Sequence, residues 1–241
     1  MPVKLLSNQY NIFPLGDTAA TIDLGNIINE ALNDKVIAMQ QWLQVNSFAG
    51  VRDIIIAYSS LTLIYDPVSV KRKFSPAGTV FDFVKQKLQQ AYYNSLVLPQ
   101  EEAGIIEIPV CYDDEFGVDL KTMAAQKKMS EEEIIRLHTE KIYRVYMIGF
   151  LPGFPYMAEV DARLSTPRKE KPVMVFPGSV GIAGSQTGIY PFNSPGGWNI
   201  IGRTPVEMFN ETADDLVRLK VGDRVQFYKV GRQEFENYLK C

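Results

Sequence analysis

Histidine is nearly missing from this 241-residue chain. His138 is the only one, and the two cysteines, Cys111 and Cys241, stand far apart, the second as the last residue. That inventory argues against a zinc site, which needs clustered Cys and His ligands. It also argues against a disulfide framework, so both thiols are expected to be free in a reducing compartment. Positive charge is not in surplus: 25 Lys and Arg against 28 Asp and Glu leave a formal net charge of −3. Nucleic acid is therefore not the expected partner. No stretch approaches the ~20 apolar residues that cross a bilayer, and MPVKLLSNQY lacks the apolar run of a secretory signal. The expected location is cytoplasmic, with no membrane association. A Gly-Lys-Ser/Thr phosphate loop and a Gly-x-Ser-x-Gly nucleophile elbow are both absent, as are internal repeats.

What is present is an ordinary globular composition, 46% hydrophobic and 22% charged, in a chain long enough for two domains. Residues 9–14 and 19–24 read as short strands around Gly16-Asp17. Apolar positions at Ile28, Leu32, Val36, Met39 and Leu43 predict an amphipathic helix over 27–45. The β-branched and aromatic runs 51–58 and 61–65 read as strands, and helical spacing returns over 80–93. The order strands, helix, strands, helix predicts a small α+β domain over 1–95, an antiparallel sheet with two helices. Residues 95–104, with Pro99, Glu101 and Glu102, read as a linker. Limited proteolysis is expected to cut there first; early cuts inside 177–202 with the linker intact would count against this boundary.

A second domain is expected over 104–232. It opens with a strand at 105–111, followed by a helical insert in which Asp119 is expected to cap one helix and Ser130 with Glu133 to form a capping box for the next, ending near Lys141. From Tyr143 onward, short apolar runs alternate with turn residues, the pattern of a β-barrel or sandwich.

Four loops of this half are rich in special residues. GFLPGFPYM, residues 149–157, carries two glycines, two prolines, two phenylalanines, a tyrosine and a methionine with no charge. The others are 165–169, the glycine-rich 177–188, and 194–198 with 202–205. Each alone reads as a turn. Together they predict an apolar pocket with a few fixed polar groups. Its expected lining is Phe150, Pro152, Gly153, Phe154 and Tyr156, then Ser179, Gly181, Gln186, Thr187 and Tyr190, then Ser194, Gly196, Gly197 and Trp198. Arg168 and Arg203 supply forked donors for carboxylate or phosphate. His138 has two readings: a half-buried residue near a helix C-terminus whose cation meets the helix dipole, or a proton carrier. Asp113, Asp114 and Glu115 read as a solvated turn.

YRVYMIGFLPGFPYM and GSVGIAGSQTGIYPFNSPGGWNIIGRTP resemble the family known under three names: allophanate hydrolase subunit 1, KipI-type kinase inhibitor, and the B-type subunit of 5-oxoprolinase. Upstream, Gly16-Asp17, Tyr65-Asp66-Pro67 and Glu115-Phe116-Gly117 fit the same family. Small departures are Phe176-Pro177-Gly178-Ser179, where the family usually has Pro-Ala-Gly-Ser, and Ile56 and Ser59 in the N-terminal half. The resemblance implies an α+β N-terminal domain followed by a mainly β, cyclophilin-like barrel domain. It implies a non-autonomous subunit of an ATP-dependent 5-oxoprolinase, turning 5-oxo-L-proline, ATP and water into L-glutamate. The implied partners are a second subunit (allophanate hydrolase subunit 2, KipA- or PxpC-like) and a third, lactam-acting subunit (PxpA-like). ATP is expected to bind with the partner, magnesium being its candidate companion. Arg168, Arg203 and His138 are the expected catalytic residues and a small lactam or amide the ligand. The alternatives are an inhibitor of a sporulation-type sensor histidine kinase and an allophanate hydrolase or urea carboxylase-type subunit.

Overall fold

Two units divide the chain, Met1–Gln100 and Glu101–Cys241. The computed structural model describes residues 10–97, 104–213 and 215–240. Most of the linker expected at 95–104 lies outside the described residues.

In the first unit the strands β1 (Asn11–Leu15) and β2 (Ala19–Asp23) precede helix α1 (Glu30–Val45); β3 (Val51–Ala57), β4 (Ser60–Tyr65), α2 (Pro67–Phe74) and α3 (Val80–Asn94) follow. The strands form an antiparallel sheet in the order β1-β2-β4-β3. Alternation decides which face is covered: Leu61, Leu63 and Tyr65 are buried while Ser60, Thr62 and Ile64 are half-buried. Helix α1 packs on β3 and β4, and α3 on β2. Their buried stripes are Val36, Met39 and Leu43 on α1 and Val84, Leu88 and Ala91 on α3, each large side chain contributing about 1.5–3 kcal/mol. The first helix starts three residues later than its periodicity suggests, because the Asn29 side chain accepts from Leu32 N–H at 3.1 Å and caps it there. Helix α2 was not expected from periodicity. Its signal is nonetheless local: Asp66 accepts from Val68 and Ser69 N–H, and Pro67 sits at the first helical position.

The second unit begins with β5 (Ile106–Val110), then α4 (Leu120–Lys127), α5 (Glu131–Thr139), β6 (Ile142–Ile148) and β7 (Pro155–Ala158). After a 3₁₀ turn at Ala162–Leu164 come β8 (Val173–Val175), β9 (Ser179–Ala183), β10 (Gln186–Ile189), β11 (Ser194–Gly196), β12 (Asn199–Arg203), β13 (Arg224–Lys229) and a short helix, α6 (Arg232–Tyr238). Seven strands make one sheet in the order β12-β9-β10-β7-β6-β13-β5, with β5 parallel to β13 and the other pairs antiparallel. Register shifts between Val145 and Met147 and between Ile200 and Gly202 add curvature. The sheet curls until its two edges meet, where Cys111 and Arg203 exchange both backbone hydrogen bonds at 2.8 and 2.9 Å. The result is the nearly closed, barrel-like sheet that the resemblance implied. β8 and β11 pair separately as a two-stranded ribbon. Inside the barrel Val145, Met157, Val180, Ile182, Ile189, Val225 and Phe227 pack with Ile134 and Leu137 of α5.

Two capping expectations need correction. Asp119 stands at the N-cap of α4 without a side-chain capping bond. Its carboxylate instead accepts from Ile200 N–H at 2.7 Å and pairs with Lys169 at 2.6 Å, because that long-range partnership satisfies two groups at once. Ser130 does cap α5, but Glu133 turns its carboxylate to Arg136 and Arg163 rather than back to the cap. Helix α5 ends at Thr139. Among the described residues, no helix is long and apolar enough to cross a membrane.

Candidate functional site

A small aromatic cluster, separate from the main barrel core, joins Phe154, Val175, Tyr190, Trp198 and Ile200. Phe154 is its hub. The Tyr190 and Trp198 rings stand nearly perpendicular to it at 5.0 and 5.3 Å, and Tyr156 tilts against it at 4.8 Å. Edge-to-face contacts of this kind fix ring orientation as well as burying area. Close packing requires glycine at 196, where a Cβ would fall 2.7 Å from Tyr190 Oη. Phe150, at φ +67° and 62% exposed, stands edge-on to Phe154 at the rim.

Beside this cluster opens a cleft of about 240 Å³, lined by Phe150, Phe154, Tyr156, Arg168, Lys169, Glu170, Pro172, Tyr190, Pro195, Gly196, Gly197 and Trp198. The charged segment is stapled in place. Thr166 exchanges backbone bonds with Gly184, Lys169 N–H donates to Gly197 O at 2.7 Å, and Asn199 Nδ2 donates to Pro167 O at 2.9 Å. Lys169 is neutralised by Asp119. Arg168 lies over the Trp198 ring, its guanidinium carbon 5.9 Å from the centroid. Burial raises the Tyr156 and Tyr190 pKa values above the ordinary phenol value, against the lowering effect of Arg168 on both and, more strongly on Tyr190, of the Trp198 backbone N–H. Both phenols therefore stay neutral donors at physiological pH. The arrangement is an aromatic bowl with one forked cation at its edge, suited to a small planar anion.

The structure thus brings together Phe150, Phe154, Tyr156, Arg168, Tyr190, Gly196, Gly197 and Trp198, all expected from sequence. Pro152 and Gly153 form the turn that carries Phe154. Ser179 and Gly181 are buried in β9, Gln186 and Thr187 belong to β10, and Ser194 is buried in β11 with its hydroxyl unpartnered. Arg203 donates from Nε to Pro177 O at 2.7 Å and lies 5.9 Å from both the Phe116 and Phe176 rings; burial lowers its pKa. Sequence reasoning did not include Lys169, Glu170, Pro172 and Pro195 in the lining. Glu170 had no local signal at all, since an acidic residue in a charged run reads as solvated surface.

His138 is not half-buried but fully enclosed in the barrel. It stacks on Phe227 at 4.5 Å, and burial holds its pKa down to about 3. Tyr112 Oη lies 2.8 Å from Nδ1 and Thr187 Oγ1 3.0 Å from Nε2. Thr187 donates its own proton to Gly181 O, so it accepts from Nε2–H, and Tyr112 donates to Nδ1. The neutral Nε2–H tautomer satisfies every member of this chain. With one histidine in the sequence, its imidazole nitrogen resonances are unambiguous and are expected not to titrate between pH 5 and 8; a midpoint near 6.5 would overturn this. As pH falls below about 6.5 the unfolded chain takes up the proton first, so the stability carried by neutral His138 is full above that pH and is lost on acidification.

Residues 10–219 match the family described as Carboxyltransferase domain, subdomain C and D. The chain is 40% identical over 233 residues to the B-type subunit of 5-oxoprolinase from Bacillus subtilis, covering 95% of this chain and 97% of that protein. The chain belongs to the family of 5-oxoprolinase B-type subunits. Among solved structures, TTHA0988 matches with a TM-score of 0.73 and 36% identity over 88% of this chain; this chain spans only 40% of that one. Kluyveromyces lactis urea carboxylase matches with a TM-score of 0.76 over 96% of this chain and 22% of its own length, at 15% identity, a likeness of fold alone. Both the aromatic cleft and the buried His138 chain fall within the residues matched to the family.

The family implies ATP, and the cleft does not fit it. A space of about 240 Å³ lies below the roughly 300–1,000 Å³ of drug-sized ligand sites, and Lys169 is already paired with Asp119. Among the described residues, no group of three or more His, Cys, Asp or Glu is placed to hold a metal ion.

Proposed function

We propose that this chain is the B-type subunit of an ATP-dependent 5-oxoprolinase, opening 5-oxo-L-proline to L-glutamate together with the family's second and third subunits. The observation that carries this reading is the aromatic cleft with Arg168 at its edge. The lactam is a small planar ring with one carboxylate. Arg168, which makes no hydrogen bond or ion pair among the described residues, offers two parallel donors to that carboxylate. Tyr156, Tyr190 and Trp198 offer ring faces and keep water from the ring. ATP and its magnesium are assigned to a partner subunit, since the aromatic cleft is too small for a nucleotide. A larger cleft of about 520 Å³ is lined by Asp113, Asp114, Glu115, Glu131 and Glu132, with its Lys229 and Arg232 already paired to Glu132 and Glu115, a charge that repels a triphosphate.

Co-purification with the second and third subunits, followed by an ATP-dependent 5-oxoproline assay, tests this. Turnover is expected from the assembled complex and none from the purified single chain, which has neither a phosphate loop nor a nucleophile elbow. Robust turnover by the single chain would overturn its non-autonomous role. A complex that turned over allophanate or urea but not 5-oxoproline would overturn the substrate.

A further inference from the structure

We propose that the cleft is built to hold the ring-opened product, a free α-amino acid, with Arg168 on its α-carboxylate and Glu170 on its α-ammonium. This rests on the reading of the cleft given above and goes beyond it by assigning Glu170. Both side chains line the same cleft. They are two positions apart, flanking Lys169, in the short segment between the Thr166 bridge to Gly184 and β8. Lys169 between them also lines the cleft, but its charge is taken up by Asp119 at 2.6 Å. Among the described residues neither Arg168 nor Glu170 is committed to a hydrogen bond or ion pair. One cleft therefore presents an uncommitted cation and an uncommitted anion.

The intact lactam uses only half of that pair. Its ring nitrogen is an uncharged amide, so Glu170 can do no more than accept one N–H bond. Opening the ring breaks the lactam C–N bond and consumes one water. The water oxygen ends on the former carbonyl carbon as a second carboxylate, and both water protons join the nitrogen, giving an ammonium; the net charge of the ligand stays at −1. The new positive charge forms next to the α-carboxylate that Arg168 holds, within reach of Glu170. The cleft thus binds product more tightly than substrate, and release of the amino acid becomes a step that Glu170 slows.

Trp198 supplies the readout. The chain has two tryptophans, so Trp42→Phe leaves Trp198 as the sole indole, in the wall of the cleft. Titrating this full chain with L-glutamate, glutarate and 5-oxo-L-proline is expected to quench Trp198 with each. L-glutamate should bind about fivefold more tightly than glutarate, which lacks the ammonium, the effect of an exposed ion pair. Glu170→Gln should erase that preference by weakening L-glutamate while 5-oxoproline still binds. Equal affinities for L-glutamate and glutarate, or a preference that survives Glu170→Gln, would overturn the assignment of Glu170 and leave the cleft as a lactam site. Binding of none of the three would overturn both.

Discussion

Arg168→Lys should lower the turnover of the assembled complex about ten- to hundredfold and leave the melting temperature of the chain nearly unchanged. The guanidinium rests on the face of Trp198 and makes no hydrogen bond or ion pair among the described residues, so little folding energy depends on it. A carboxylate ligand loses a parallel pair of charge-assisted bonds, worth about 1.5–3 kcal/mol each, that one ammonium cannot reproduce. Arg203 predicts the opposite balance. Its Nε bond to Pro177 O and its place between Phe116 and Phe176 tie the loop before β9 to the end of β12. Arg203→Ala should therefore cost about 1–2 kcal/mol of stability, while the protein that remains folded keeps most of its activity. Melting and turnover measured on the same two variant complexes decide the matter. Full activity in Arg168→Lys would remove Arg168 from the site, and lost activity at normal stability in Arg203→Ala would return Arg203 to it.

Gly178→Ala should be the most damaging single methyl group in the second unit, costing about 3 kcal/mol or more. Gly178 has φ +80°, and an added Cβ would lie 2.1 Å from Thr204 O, so the backbone itself must move. That backbone is pinned: Gly178 N–H donates to Tyr190 O at 2.7 Å, and Thr204 N–H to Gly178 O at 2.9 Å. Relieving the clash pulls on the strand end that carries Tyr190 as well as on the end of β12, so ligand affinity should fall along with stability. Gly184→Ala is the control. It too has positive φ, +57°, but nothing lies within 4 Å of its added Cβ, and only the ~1 kcal/mol of the left-handed backbone is lost. Thermal unfolding of the two variants should differ by several degrees. Equal losses would mean that the close approach to Thr204 is relaxed at little cost.

The aromatic loop 149–157 was legible as a wall because its residues conflict locally: prolines and glycines exclude a helix, yet the rings must be buried. The structure resolves the conflict by placing Phe154 at the centre of the cluster. The burial of His138 escapes its local sequence for a comparable reason. Helical spacing put it on the flank of α5, but whether a flank faces solvent depends on what lies opposite, and here Phe227 of β13 and Thr187 of β10 do. Asp119 has the local signature of a cap. Its real partners, Ile200 and Lys169, are far along the chain.

Elements with local signals are readable from the residues alone: the amphipathic helices, the alternating strands, the turn chemistry of 177–205, and the family through two long motifs. Periodicity and turn preference act over a few residues, so they survive without knowledge of the fold. Which of the special residues share one space depends on how the barrel closes. That closure separated Arg168 from Arg203, enclosed His138, committed Lys169 to Asp119 and, among the described residues, left Glu170 unpaired beside Arg168. Those outcomes depend on strand order and on the curl that brings β5 to β12, and pairing across such distances is fixed by the burial of both sheet faces rather than by any property of the neighbouring residues.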